Sequence, residues 1–307
     1  MMGWKSKIEA AADRIAGHTQ ITPTMQVNGF GLNFPVELKL EHMQHTGSFK
    51  ARGAFNTLLS EPVPAAGLVA ASGGNHGAAV GYAAHKLGHK VRIYVPEMAG
   101  PSKIALIKNT GADLQVVPGA YSDAMELAQK YETETGAMQV HAYDAPATVA
   151  GQGSCFSEWQ AQGLQADTLL IAVGGGGLIS GAMAWFGGEK KVVAVEPETS
   201  KALNAALQAN TPVDVEVSGV AANALGAKRI GGICFDLALS QGIESLTVSD
   251  AAITKAQQAL WSQHRILVEP AGATALAALM SGAYCPAEDE RVAVLICGGN
   301  IAPDPLG

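Results

Sequence analysis

Charge is scarce in this sequence. Only 15% of its 307 residues are Asp, Glu, Lys or Arg, where about 25% is usual. Lys and Arg total 20 against 27 Asp and Glu, a net charge of −7 with no basic run or stripe. That argues against nucleic acid as a partner. Cysteine is scarce too: Cys155, Cys234, Cys285 and Cys297 lie far apart, with no CxxC or other metal-type spacing. Such usage fits a reducing cytosol better than a disulfide framework. The first residues, MMGWKSKIEAAADRIAG, carry charges throughout and lack the apolar centre of a signal peptide, so a cytoplasmic enzyme is expected. One uncharged stretch, 168–188, has the length of a membrane span, but four glycines interrupt it. Strand, glycine loop and helix is the better reading there, and no membrane is expected. No repeat, low-complexity tract or Pro/Ser-rich linker is present, so any lobes exchange chain rather than hang on a tether.

What the sequence does have is apolar residues, 48%, and glycine, 36 residues, against a usual glycine share of roughly 7%. The first excludes disorder, which needs low hydrophobicity and high net charge. The glycines cluster without a period of three, which excludes collagen. With so little charge, much of the chain is expected to be interior or interface, and an oligomer is expected.

Short β-rich runs at 36–40, 68–72, 91–95, 114–117, 168–173, 192–196 and 292–297 read as buried strands. Alanine-rich helical patterns at 77–87, 102–109, 122–135, 148–160, 178–186, 200–208 and 250–264 separate most of them. Pro101-Ser102, Ser122-Asp123 and Ser249-Asp250 carry helix-opening chemistry. The alternation predicts an α/β protein with open, largely parallel sheets flanked by helices. In such sheets ligands bind beyond the carboxyl ends of the strands, so the strand-to-helix loops are where chemistry is to be sought.

Three of those loops are glycine-rich. After Val173 come Gly174, Gly175, Gly176 and Gly177, then Leu178 at a helix start. Glycine allows close backbone approach, and the free N–H groups of a helix N-terminus suit a phosphate. The loop has no lysine, so it is not a Walker A P-loop. It also imitates a dinucleotide fingerprint: Gly175-x-Gly177 opens a helix and Glu196 ends the next strand, although Ser180 stands where the third glycine belongs. An NAD-type oxidoreductase therefore competes at this point. After Ala71 come Ser72, Gly73, Gly74, Asn75 and His76, a loop suited to a carboxylate beside a polar ring substituent, with Ser72 and Asn75 alternatively simple helix caps. Cys297, Gly298, Gly299 and Asn300 follow the last strand, and a cysteine there is ordinarily a small buried apolar residue.

A fourth element is His45-Thr46-Gly47-Ser48-Phe49-Lys50-Ala51-Arg52-Gly53-Ala54. Most lysines are solvated, but Lys50 precedes an apolar helix in an uncharged setting. Desolvation there lowers an amine pKa enough for nucleophile and base work. Phosphate cradle, carboxylate loop and special lysine together suggest pyridoxal phosphate held as a Schiff base.

From Ile21 to Asn300 the chain resembles the pyridoxal-phosphate enzymes of the β-family, fold type II, and within them the threonine and serine dehydratases and serine racemases. Ser48-Phe49-Lys50-x-Arg52-Gly53-Ala54 is similar to the family's cofactor-lysine motif. The resemblance implies that Asn75 bonds the cofactor's 3′-oxygen and that Ser72, Gly73, Gly74 and His76 hold the substrate carboxylate. It further implies that Gly174 to Gly177 and Leu178 hold the phosphate, that Cys297 faces the pyridine nitrogen, and that Glu269, in Glu269-Pro270-Ala271-Gly272, lines the ring. It implies a homodimer of two-lobed subunits, a large cofactor-binding lobe of residues 1–66 and 144–307 with a small lobe of 67–143 inserted.

Departures from the pattern sharpen the expectation. Serine racemases carry a serine at the position of Gly73, an acid/base opposite the lysine; glycine has no proton to give, so racemisation is expected to be slow. Glu196-Pro197 resembles the start of a racemase cation site, but Ala202 replaces its aspartate, leaving Glu196 as a weak metal candidate. The chain ends soon after Asn300, so the C-terminal regulatory domain of isoleucine-inhibited dehydratases is expected to be absent. The expected reaction is α,β-elimination of water from a β-hydroxy amino acid, L-threonine or L-serine first, giving a 2-oxo acid and ammonia. Alternatives are an amino-acid racemase, a dehydratase for 3-hydroxyaspartate or phenylserine, and a non-catalytic ligand-binding regulator. The side-chain end of the pocket is expected around Ala120-Tyr121 and 218–225. Arg52 and Arg229 could hold a second substrate carboxylate, but ion pairing within the protein is the better expectation for each.

Overall fold

The run TLLIA is apolar on both faces and every residue of it is buried, as a parallel strand covered by helices on both sides requires. It is one of ten strands in a computed structural model that describes residues 3–119 and 121–303. In chain order these are β1 (Thr24–Val27), β2 (Val36–Lys39), β3 (Leu68–Ala71), β4 (Val91–Pro96), β5 (Asp113–Val117), β6 (Met138–Gln139), β7 (Thr168–Ala172), β8 (Lys191–Pro197), β9 (Glu244–Val248) and β10 (Val292–Leu295). The helices are α1 (Trp4–Ile15), α2 (Lys50–Ser60), α3 (Asn75–Lys86), α4 (Pro101–Lys108), α5 (Tyr121–Thr135), α6 (Pro146–Ala161), α7 (Gly177–Phe186), α8 (Ala202–Ala209), α9 (Ala222–Leu225), α10 (Gly232–Gln241), α11 (Asp250–His264) and α12 (Pro270–Ser281).

They form two sheets. One has six strands in the order β1-β2-β10-β7-β8-β9, the other four in the order β5-β4-β3-β6. Every pairing is parallel except that of β1 with β2. All seven expected strands are present, and the fold is the α/β class expected. The smaller sheet takes all its strands from between Leu68 and Gln139.

Local chemistry explains the helix starts. Pro101 and Pro146 open α4 and α6, where the missing N–H costs nothing. Ser249 caps α11 by accepting the Ala252 N–H. Several expected boundaries shift. α3 begins at Asn75, not Gly77, and Lys50 is itself the first residue of α2 rather than a residue before it. The helix expected at 200–208 begins at Ala202, because the Ser200 hydroxyl is committed to the Leu225 carbonyl and the Glu196 carboxylate takes the Leu203 and Asn204 N–H groups.

The core holds a second population of glycines, inside helices. A β-carbon at Gly151 of α6 would lie 2.7 Å from the Arg52 carbonyl oxygen and from the Gly53 Cα of α2. One at Gly181 of α7 would lie 2.6 Å from the Gly153 nitrogen of α6. Helices α2, α6 and α7 therefore pack backbone against backbone.

Candidate active site

Lys50 begins α2 and is partly buried. Its ammonium donates to the Ala142 carbonyl at 2.7 Å and lies 5.1 Å from the centre of the Phe49 ring. Among the described residues no carboxylate forms an ion pair with it. Burial draws the amine pKa down to about 8, against a smaller upward pull from Cys297. Such an amine is about one-tenth neutral at pH 7, far more than a lysine of ordinary pKa, and the neutral form is what a nucleophile or base needs.

Ser48, two residues earlier, bridges to Gly298 directly after Cys297. This brings the lysine segment beside the end of β10. The Cys297 thiol is buried, its pKa pushed up chiefly by that burial, and it donates to the Ala271 carbonyl. It is a neutral group. The buried hydroxyls of Ser48 and Thr46 find no hydrogen-bond partner among the described residues. Buried polar atoms are rarely left so, which marks a site built around something the chain does not itself supply.

The loop beyond β7 has the geometry of an anion cradle. Gly176 sits at φ 93° and caps α7 without any side-chain bond, so the first-turn N–H groups of Gly177, Leu178 and Ile179 have no intrahelical acceptor. The loop must be glycine: a β-carbon at Gly175 would stand 2.4 Å from the Tyr143 ring, and one at Gly176 would stand 2.4 Å from the Cys234 sulfur. The dinucleotide reading fails here on its own residues. The Ser180 hydroxyl donates to the Gly176 carbonyl, and both Glu196 oxygens are spent on the start of α8. The same bonds engage Glu196 as a metal candidate, and no group of three potential ligands occurs among the described residues.

At the end of β3 the Ser72 hydroxyl accepts the N–H groups of Gly74 and Gly77, the capping role allowed from sequence. The first-turn N–H groups of Asn75 and His76 have no intrahelical acceptor. The His76 ring is turned away from them: Nε2 donates to the Val140 carbonyl at 2.8 Å, and burial, reinforced by Lys50, pushes its pKa down to about 3. Its imidazole is neutral. Asn75 gives one amide hydrogen to Glu269 Oε1 at 2.5 Å and accepts from Asn300 Nδ2 at 2.9 Å. One amide hydrogen remains. Burial raises the pKa of Glu269, opposed by Lys103 and Asn75.

The arginines considered for a second carboxylate are engaged. Arg52 makes a bidentate pair with Glu41, at 2.8 Å for each bond, and reaches Glu158 at 2.8 Å. Arg229 pairs with Asp214 at the surface. Of the two segments expected at the side-chain end, Ala120 lies outside the described residues, Tyr121 opens α5, and 222–225 forms α9. Three residues close to the site had no sequence signal: Tyr143 against the glycine loop, Ala99 against Gly73, and Lys103 beside Gly74. Each is a contact between segments distant in sequence.

The groups present fit a phosphorylated pyridine aldehyde: an amine at Lys50, an anion cradle, a neutral thiol and a free amide hydrogen. Residues 15–298 match the pyridoxal-phosphate dependent enzyme family. The chain is 33% identical to phenylserine dehydratase of Ralstonia pickettii, over 89% of this chain and 84% of that protein. It is 35% identical to L-threonine ammonia-lyase of Thermotoga maritima, over 87% and 67% respectively. Its structure is similar to that of maize serine racemase, with a TM-score of 0.94 and 27% identity over 100% of this chain and 96% of the other.

Proposed function

The chain belongs to the pyridoxal-phosphate dependent enzyme family, and from that premise we propose that it eliminates water from β-hydroxy amino acids, L-threonine and L-serine being the simplest, to give a 2-oxo acid and ammonia. The cofactor is pyridoxal phosphate, and the enzyme is a lyase. The observation that carries the reading is Lys50, an amine with a lowered pKa and no carboxylate partner among the described residues, whose charge acts on His76 and whose partner Ala142 adjoins Tyr143, which lies against the glycine loop.

The bound cofactor supplies an electron sink for the pair left when the Cα proton departs. Lys50 takes that proton as general base. Once protonated, it is also a donor for the leaving β-hydroxyl. Backbone N–H groups of the loop from Ser72 to His76 hold the substrate carboxylate; the His76 side chain contributes no charge there, being neutral and bonded to Val140. Cys297, a neutral thiol, would face the ring nitrogen, which would then not need to be protonated. Asn75 would offer its remaining hydrogen to the ring oxygen, Glu269 and Phe49 would line the ring, and Gly174, Gly175, Gly176, Gly177 and Leu178 would hold the phosphate. Glycine at position 73 leaves no second acid there, which favours elimination over racemisation.

Residues 1–66 and 144–307 make the large lobe and 67–143 the small one; the separate four-stranded sheet supports this division. The enzyme acts as a homodimer. Exposed Ile21, Met25, Met43 and Leu267, with the edge strand β1, support an apolar interface. Four free cysteines support a reducing, cytoplasmic setting.

Borohydride treatment of the purified yellow protein, followed by peptide mass spectrometry, is expected to place the cofactor on Lys50. A panel of β-hydroxy amino acids scored for 2-oxo acid is expected to show turnover that Lys50→Ala abolishes. Near-normal ammonia release by that variant, or cofactor binding with no turnover of any panel member, would overturn the reading.

A further inference from the structure

We propose that Lys103 grips a second carboxylate on the substrate, making a β-hydroxy dicarboxylic amino acid such as 3-hydroxyaspartate the preferred member of the class. This rests on the elimination reading above and goes on to select its substrate.

Lys103 lies on α4, in the segment that also carries the smaller sheet, and only 4% of it is exposed. Its ammonium has one hydrogen bond, to the Asn223 carbonyl of α9 at 3.2 Å. That is long for a charged donor, where about 2.7–2.9 Å is usual. An ammonium has three donors, and among the described residues no carboxylate stands within ion-pair reach of this one. Glu269 is an opposing charge that acts on it, but its Oε1 is held by Asn75. A buried cation so poorly satisfied is costly to keep, and an arriving anion removes the cost.

The position fits such an anion. A β-carbon on Gly74 would stand 3.7 Å from Lys103 Nζ and 3.4 Å from the Asn223 carbonyl. Lys103 therefore borders the loop proposed to hold the α-carboxylate, and its ammonium meets Asn223 of the α9 segment expected at the side-chain end. A substrate anchored on the loop by one carboxylate would bring a second, on its β-carbon, toward Nζ. Arg52 and Arg229, the arginines considered for this task, are spent on other carboxylates, whereas Lys103 has none among the described residues.

The test compares holoenzyme with Lys103→Met and Lys103→Arg. In the wild type, kcat/KM is expected to be higher for 3-hydroxyaspartate than for serine. Lys103→Met is expected to lower that ratio about 10- to 100-fold, the value of a charge-assisted hydrogen bond, with Lys103→Arg retaining part of it. Calorimetry supplies a reading independent of turnover: succinate is expected to bind the wild type more tightly than butyrate, and Lys103→Met to remove the difference. An unchanged ratio, or unchanged succinate selectivity, overturns the proposal, because Lys103 then holds the α-carboxylate or merely joins α4 to α9. If Lys103→Met does not fold, the wild type decides alone, and equal handling of dicarboxylic and monocarboxylic ligands overturns it. Serine turnover without preference for 3-hydroxyaspartate defeats this inference and leaves the elimination reading standing. Failure of every β-hydroxy amino acid defeats both.

Discussion

Gly73 and Ala99 share a space that holds only one β-carbon. A Cβ built on Gly73 would lie 2.6 Å from that of Ala99, which ends the 3-10 turn Glu97–Ala99. From sequence alone, Gly73→Ser promises a new acid and with it racemisation. The structure changes that expectation, since a serine cannot enter until the turn yields. Gly73→Ser alone is expected to cost about 1–3 kcal/mol of stability, as overpacking does, with little racemisation. Gly73→Ser combined with Ala99→Gly is expected to recover stability and show racemised substrate by chiral chromatography. Equal racemisation by the single and double variants would refute the steric argument.

Lys50 gives a pH dependence in the protein freed of cofactor. Its amine pKa is drawn to about 8 by burial, so the neutral, nucleophilic fraction grows as pH rises toward 8 and is nearly complete above it. The rate of pyridoxal phosphate capture, followed by absorbance, is expected to rise about tenfold per pH unit below that value and to level off above it. A lysine of ordinary pKa would keep accelerating to beyond pH 10, and that result would contradict the buried setting.

Arg52 is structural, and its loss is expected to be severe. Arg52→Ala would leave the buried Glu41 and the neighbouring Glu158 without their shared cation. Stranding a buried charge costs about 3–5 kcal/mol, to be read from urea unfolding. Arg52→Lys cannot reproduce the two-pronged bond to Glu41 and is expected to recover only part of the loss.

Glu196 is expected to matter for stability and not for chemistry. Its two oxygens take the Leu203 and Asn204 N–H groups, and a glutamine keeps one acceptor while turning a donor on the other. Glu196→Gln is expected to cost about 1 kcal/mol, the usual value of a helix cap, seen as a lower Tm with kcat unchanged. A large fall in kcat at full cofactor loading would return Glu196 to the site.

What the sequence made legible was local. Lys50, the loop from Ser72 to His76, the run from Gly174 to Gly177 and the Cys297-Gly298-Gly299-Asn300 segment each announce themselves within a few residues, because strand, turn and helix start are short-range chemistry. Strands with continuous apolar runs, such as β7 and β10, were equally plain. β9, a partly exposed edge strand, has no such run, and α12 is apolar on all sides, so neither period stands out. Ala99 and Lys103 were silent for another reason: their meaning lies in Gly73 and Gly74, a full strand and helix away. The glycines at strand ends were found, but Gly151 and Gly181 were not, since a helix crossing leaves no pattern in either helix alone.

Those crossings have a mechanical result. α2 starts at Lys50, α7 starts at the glycine loop, and α6 is in backbone contact with both. Lysine and anion cradle are thus mounted on one block, joined through α6 by close backbone contacts at Gly151 and Gly153. Movement of the four-stranded sheet would carry the loop from Ser72 to His76, and Lys103 with it, toward or away from that block. The span from Lys50 to the cradle would stay constant throughout, like the fixed jaw of a vice.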